Sequence, residues 1–258
     1  MNEDIHMIPD SWPGVTMICP TYNRVSSHPH LLEECIESFV RQGYPGQKEL
    51  LILNDCRGQI IECQTPGVRI VNSRYRYRSM GDKRNALVEM AKYDLICCAD
   101  DDDISLPWRL SASVGILLRG KYDYVNPKAY WFINGELPAV FEQMTGYAHN
   151  CSLYTRAAWL KSGKYPPHCR DDAEFDHRLN SHCRGWRTPL GIDQCFYIYR
   201  WGVSDHLSGN NDMDYAYNRK ISVAKNRGVY NVQPQWYHDY VGAINEAKTM
   251  KVNIKELD

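Results

Sequence analysis

The densest chemistry in this chain lies at Leu95-Ile96-Cys97-Cys98-Ala99-Asp100-Asp101-Asp102-Asp103, where a short apolar run ends in four consecutive carboxylates. The apolar part has strand length, and Pro107 soon closes the segment. Burying the apolar part puts dense negative charge at the mouth of a fold. That charge repels itself unless solvent, an Arg/Lys cluster or a divalent cation compensates it. Carboxylate oxygens suit hard cations such as Mn2+ or Mg2+, above all where substrate phosphates complete the shell. The run alone equally fits a solvated acidic turn. A calcium loop of the EF-hand kind fails on spacing: counted from Asp100, its sixth place needs Gly and its twelfth Glu, and the chain has Ser105 and Ser111 there.

A second acidic cluster, Asp171-Asp172-Ala173-Glu174, precedes Phe175 and Leu179. The four-residue apolar spacing predicts a helix whose first turn holds the acids. They would serve there as caps or dipole partners, or as a general base. Arg74-Tyr75-Arg76-Tyr77-Arg78 alternates basic and aromatic residues, which is either a solvated loop or a phosphate and base contact. Lys83 and Arg84 open the next helix, where the dipole disfavours cations, and this points to an outside anion. His206 follows a strand in a polar loop and is a candidate ligand.

These groups need elements to hold them. Val15-Thr16-Met17-Ile18-Cys19 predicts a buried strand leading into the loop Pro20-Thr21-Tyr22-Asn23-Arg24. Leu31, Leu32, Cys35, Ile36, Phe39 and Val40 form a helical stripe. Glu49 to Leu53 is a second strand ending at Asn54-Asp55, and Val68 to Val71 a third. Ser79 caps a helix with Asp82 in the capping-box place. The strand at Leu95 is the fourth. After Pro107 the pattern predicts a helix from Trp108 and strands at Tyr122 to Val125 and Tyr130 to Ile133. A hairpin turn follows at Asn134-Gly135, with a return strand through Ala139 to Phe141. Further strands are predicted at Cys151 to Tyr154 and Cys195 to Tyr199. From Tyr215 onward the chain reads as a polar helical tail.

Strands alternating with helices predict an α/β fold, an open, mostly parallel sheet with helices on both faces. Ligands of such sheets sit beyond the carboxyl ends of the strands. Three polar clusters fall there: Pro20 to Arg24, Asn54-Asp55 and Asp100 to Asp103. Their convergence argues for a site.

The totals narrow the rest. At 258 residues and 43% hydrophobic the chain can bury a full core, and its formal net charge of −1 supplies no global field for nucleic acid or membrane. No apolar run has the roughly 18–20 residues of a membrane span. Met1 to Asp10 carry acids and no apolar core, which predicts no secretory signal and a cytoplasmic protein. The ten cysteines show no Cys-x-x-Cys pair and no zinc spacing, so all are expected to be reduced.

Taken together, these motifs resemble family 2 glycosyltransferases of the GT-A fold. Pro20 to Arg24 is similar to that family's opening strand-loop and Asn54-Asp55 to its second-strand acid. Lys83-Arg84-Asn85-Ala86-Leu87 is similar to its Arg-Asn helix. Asp100 to Asp103, followed by Ile104-Ser105-Leu106-Pro107, resembles its metal-binding Asp-x-Asp motif. Gly163-Lys164-Tyr165 with Asp171-Asp172 resembles its acceptor-side region. The resemblance implies a GT-A type, Rossmann-like sheet with a smaller acceptor-side subregion and a C-terminal helical tail. A single domain would span 1–212, with a nucleotide-sugar half at 12–107 and an acceptor half at 108–212, followed by an extension at 213–258.

It also implies roles. Pro20, Thr21, Tyr22, Arg24 and Arg84 would line the nucleotide pocket, Asp55 would bind nucleobase or ribose, and Asp100 and Asp101 would contact ribose or sugar. Asp102, with His206, would hold Mn2+ or Mg2+, and Asp172 would be the catalytic base. The partner is a nucleotide-sugar donor, with UDP the expected carrier. Polysaccharide, lipid-linked sugar, protein and a modified DNA base stay open as acceptors. Two rivals stand beside this: a nucleotidyltransferase making sugar nucleotides, which would want a Gly-rich phosphate loop after the first strand, and a catalytically inactive nucleotide- or glycan-binding module.

Overall fold

The computed structural model describes residues 11–144, 148–202 and 227–255. In chain order the first half holds β1 (Val15–Thr21), the short α1 (Arg24–Ser27), α2 (Pro29–Val40), β2 (Lys48–Asn54), β3 (Gln59–Glu62), β4 (Val68–Asn72), α3 (Met80–Met90) and β5 (Leu95–Cys98). Next come β6 (Ile104–Ser105), α4 (Arg109–Gly120), β7 (Tyr124–Val125), β8 (Ala129–Asn134) and β9 (Glu136–Gln143). β10 (Leu153–Thr155), α5 (Arg156–Lys161), α6 (Asp171–His182), β11 (Gly185–Trp186) and β12 (Tyr197–Trp201) follow. β13 (Gly228–Asn231) and a C-terminal helix (Tyr240–Lys255) close the described chain.

Seven strands form the central sheet in the order β11-β7-β10-β5-β1-β2-β4. All neighbours are parallel except β10, which runs against both β5 and β7. The central strands are buried on both faces, which is why they read as continuous apolar runs rather than alternating ones. Val15, Met17 and Cys19 of β1 pack with Leu32, Ile36 and Phe39 of α2 and with Leu110 and Val114 of α4. Ile18, with Leu51 and Leu53 of β2, packs on the other face against Leu87 and Val88 of α3 and Phe175 and Leu179 of α6. The predicted helix-covered parallel sheet is the observed one. The Ser79 cap is also present: its hydroxyl accepts from the Asp82 amide at 3.0 Å.

A second sheet, β6-β12-β8-β9, carries the other subregion. Its hairpin turns at Gly135, whose φ of +78° suits glycine and few other residues. Trp131, Ile133, Tyr197 and Ile198 belong to its core, which Tyr240 and Ile244 of the C-terminal helix help close. All ten cysteines are free thiols. No described helix is long and apolar enough to cross a membrane.

Two features were not predicted. The segment read as a wholly helical tail also supplies β13, which pairs in parallel with β3. Neither strand shows a pattern strong enough to stand out alone; each exists because the other completes its hydrogen bonds. The second is a buried junction at Glu34 of α2. Arg200 of β12 donates to one carboxylate oxygen through Nη1, and the Tyr240 hydroxyl donates to the other at 2.7 Å. The Arg200 amide donates to Asp103 at 2.8 Å, and its Nε donates to the Asp102 carbonyl. One arginine thus ties helix α2, the second sheet and the C-terminal helix to the acidic loop. Replacing Glu34 by Ala strands a guanidinium that is only 4% exposed. Unfolding in urea should show a loss of roughly 3–5 kcal/mol, and an unchanged midpoint would mean that the junction carries no stability.

Candidate active site

The carboxyl ends of β1, β2 and β5 lie side by side, because Thr21 pairs with Asn54 and Ile18 with Cys98. The next residues of each strand therefore meet above the sheet. Asp55, wholly buried, accepts from Lys83 Nζ at 2.6 Å, from Arg76 Nη1 at 2.6 Å and from the Tyr77 amide at 3.1 Å. Burial alone would raise its pKa, but the Lys83 and Arg76 cations outweigh that and hold it below the usual carboxylate range. Lys83 also donates to the Thr21 carbonyl at 2.7 Å. The Arg76 guanidinium lies 3.8 Å from the centre of the Tyr22 ring, a cation–π contact.

The four aspartates divide. Asp101 turns into the fold, accepting from Thr21 Oγ1 at 2.6 Å and Arg24 Nη2 at 2.7 Å. Burial opposes its charge, yet Arg24 and the Thr21 hydroxyl keep its pKa low. Asp103 accepts from the Tyr197 hydroxyl at 2.6 Å and the Arg200 amide. Burial and the charges of Asp102 and Asp100 still push it well above its ordinary value. Asp100 and Asp102 keep more solvent contact, with side chains 25% and 13% exposed. Burial, joined by Asp102 and Asp101 and opposed by Arg84, pushes Asp100 up to about 6. Asp102 receives Arg24 Nη2 at 3.0 Å. Asp100, Asp102 and Asp103 each offer a carboxylate oxygen within 4.8 Å of the others. The donor set is oxygen only, and burial together with mutual repulsion raises Asp100 and Asp103. Mn2+ or Mg2+ fits that set. His206 lies outside the described residues.

Arg84 and the second acidic cluster explain one another. Arg84 Nη1 reaches both oxygens of Asp171 at 3.0 and 2.9 Å, and its Nη2 lies 3.9 Å from Asp100. Asp171 is fully buried, and burial raises its pKa against the pull of Arg84. The cations at the start of α3 therefore answer internal carboxylates. The N-cap of α6 is Arg170, with no side-chain cap bond, so neither Asp171 nor Asp172 caps the helix. Asp172 is half-buried, accepts its own neighbour's amide (Ala173) at 2.7 Å, and lines a cleft of about 160 Å³ with Tyr130, His149, Tyr197 and Tyr199.

His149 was not singled out from sequence. Its Nδ1 donates to Asp176 at 2.9 Å, while Nε2 lies 3.0 Å from the Tyr165 hydroxyl and 3.3 Å from Cys98 Sγ. Burial disfavours its charge, but the Asp176 carboxylate and the Cys98 sulfur hold the imidazole well above its ordinary pKa. The only sequence signal was Asp176, one helical turn after Asp172 on α6. Between β1 and α2, residues 20–28 contain no glycine, so no Gly-rich phosphate loop follows the first strand.

A parallel sheet that gathers a buried acid after its second strand and a carboxylate cluster after its fifth is a GT-A type fold. The model of glycosyl transferase family 2 matches residues 16–198, and the chain belongs to that family. Among solved structures, S. aureus TarS 1–349 in complex with UDP-GlcNAc aligns with a TM-score of 0.61 at 16% identity, over 82% of this chain and 66% of that one. TarS 1–349 in complex with UDP aligns with a TM-score of 0.56 at 14% identity, over 82% and 65%. A further S. aureus TarS structure aligns at 0.56 and 16% identity, over 81% of this chain and 39% of that one. At these identities the likeness is one of fold, and the chain spans just under two thirds of TarS 1–349. No curated protein matches the chain by sequence.

Asp55→Asn would leave Lys83 and Arg76 without their buried counter-ion. At neutral pH it should lose roughly 3–5 kcal/mol of stability. The folded pKa of Asp55 lies below its unfolded value of about 3.9. Its contribution is therefore present above that pH and is lost as the pH falls through the lowered folded value. The gap between wild type and variant, read from urea unfolding, should narrow across that acid window; a pH-independent gap would show that Asp55's charge is not the cause.

Proposed function

We propose that this chain is a metal-dependent glycosyltransferase that moves a sugar from a nucleotide diphosphate donor, UDP by preference, to an acceptor hydroxyl with inversion. The observation that carries the reading is the linkage of the two acidic clusters, with Arg84 paired to Asp171 and 3.9 Å from Asp100. Asp172 lines the cleft together with Tyr197, and the Tyr197 hydroxyl is bonded to Asp103. Membership of glycosyl transferase family 2 supports the reaction class, and the UDP-GlcNAc and UDP bound to TarS support a uridine diphosphate donor.

Pro20, Thr21, Tyr22, Arg24, Asp55, Arg84, Asp100 and Asp101 are the proposed donor-side residues. Tyr22 and Asp55 address the base or ribose, and Arg76, stacked on Tyr22 and bonded to Asp55, belongs with them. Asp102, with Asp100 beside it, would hold Mn2+ or Mg2+. When bound, the cation neutralises charge on the diphosphate as the sugar–oxygen bond breaks. Asp172 takes the proton from the acceptor hydroxyl. That oxygen forms the new bond to the anomeric carbon from the face opposite the diphosphate, which leaves with the electron pair of the broken bond. Asp172 suits this role because it stands at the start of α6, where the helix dipole favours a carboxylate, and in partial contact with solvent. Asp171 is spent on Arg84. A nucleotidyltransferase lacks support here, since residues 20–28 hold no phosphate-cradling glycines.

Asp172→Asn should lower transfer by roughly 10²–10⁴ while leaving donor affinity in calorimetry close to wild type. Equal transfer by the two proteins removes Asp172 from the mechanism. Asp102→Ala should abolish the Mn2+-dependent part of nucleotide binding.

Asp100, raised to about 6, keeps a proton below that pH and loses it above. A cation competes with that proton, so the stabilisation given by Mn2+ in thermal unfolding should be small at about pH 5 and grow towards about pH 7.5. A shift independent of pH would argue that the cation binds elsewhere.

A further inference from the structure

His149 is a buried titratable group that the transfer chemistry leaves unused, and it touches both halves of the site. It opens a short 3-10 helix, His149–Cys151. Its Nδ1 reaches Asp176 at 2.9 Å, and Asp176 lies on α6 one turn beyond Asp172, on the same side of the helix. Its Nε2 lies 3.0 Å from the Tyr165 hydroxyl and 3.3 Å from Cys98 Sγ. Cys98 ends β5, two residues before Asp100. The backbone repeats that link. The His149 carbonyl accepts from the Ser152 amide at 2.8 Å, and the Ser152 carbonyl accepts from the Cys98 amide at 3.0 Å. One side chain therefore joins the helix of Asp172 to the strand that ends at the acidic loop. Together with Asp172 it lines the same cleft.

The charge on His149 follows from Asp176. That carboxylate is only 4% exposed, and among the described residues its one ion-pair partner is His149. Its other oxygen accepts from the neutral Asn126 Nδ2 at 3.1 Å. Lys128, which Arg187 opposes, acts on Asp176 from farther away. A buried carboxylate is costly without a cation beside it, and the imidazole is the group in place to be one. The surroundings of the ring agree. Asp100, Asp171 and, in the shared cleft, Asp172 favour a charged ring, while Arg84, 5.9 Å from the Tyr165 ring, opposes it. Burial opposes it too, but the Cys98 sulfur and Asp176 outweigh burial. The Tyr165 and Tyr154 hydroxyls, 2.8 Å apart, are kept neutral by burial.

We propose that His149 is a positioning residue: as an imidazolium paired with Asp176, it fixes the start of α6, and with it Asp172, against the acidic loop that follows β5. This rests on the glycosyltransferase reading above, in which Asp172 must meet the attacking hydroxyl beside the donor. The test uses the full chain and reads two quantities: nitrogen NMR of the imidazole rings, and UDP release from UDP-sugars in Mn2+ without acceptor. The ring signal missing from either variant below identifies His149. In wild type it should remain doubly protonated at about pH 7.5, above the usual histidine value of about 6.5. His149→Gln keeps a donor for Asp176 but strands its charge. UDP release should slow about a hundredfold, the cost of misplacing a reacting group by about 1 Å, with the donor KM near wild type. His149→Gln/Asp176→Asn removes both charges and lets the introduced amides bond each other and Asn126, so it should release UDP about tenfold faster than the single variant. A neutral His149 at about pH 7.5 overturns the proposal. So do unchanged release by His149→Gln, a loss that appears as a raised KM, and a double variant no faster than the single one. If His149→Gln does not fold, the double variant must come within about tenfold of wild type, and a slower one overturns the proposal. No UDP release by wild type from any UDP-sugar counts against the glycosyltransferase reading, and the NMR result still decides the ion pair.

Discussion

Four aspartates in a row at the end of a buried strand are an electrostatic problem, and the fold is arranged around its solution. Like charges a few ångströms apart in a poorly hydrated place cannot all ionise without compensation. Asp101 is given to Thr21 and Arg24, and Asp103 to Tyr197 and the Arg200 amide. Asp100 and Asp102 keep more contact with solvent, beside Arg84 and Arg24 respectively. The two inward acids fix the loop; the two outward ones keep it electronegative. A fixed loop with two partly exposed carboxylates is what the proposed site for a cation and a diphosphate would use.

The same division of labour recurs at the other acidic pair. Asp171 is buried on Arg84 and holds the start of α6 against α3. Asp172, the next residue of the same helix, lines the cleft. Arg84 touches Asp171 and stands near Asp100, so one guanidinium registers the two acidic clusters against each other. Arg200 does the equivalent on the far side, carrying the position of the C-terminal helix to Asp102 and Asp103 through Glu34 and Tyr240. Charged groups that are conspicuous in the sequence as possible ligand contacts are, in the fold, largely the struts of the site.

Much of the architecture was legible because burial writes itself into pattern. β1, β2 and β5 are largely apolar since both faces of the sheet are covered, and α2 shows the stripe of a helix with one covered face. The Asn134-Gly135 turn and the Ser79 cap are local chemistry and were readable for the same reason. β3 and β13 were not. Each is four residues long, and each pairs with a partner more than 160 positions away that no local pattern announces.

The sequence by itself determined the parallel α/β sheet, the strand ends at which polar groups gather, and the acid-rich segments of the candidate site. Those follow from periodicity and residue type, which are local. Only the tertiary structure decided the pairings: Lys83 with Asp55, Arg84 with Asp171, Tyr197 with Asp103, and His149 with Asp176. A side chain's charge is written in its letter, but its partner is chosen by which elements pack together. That choice separates the acids that hold the fold from those left partly exposed.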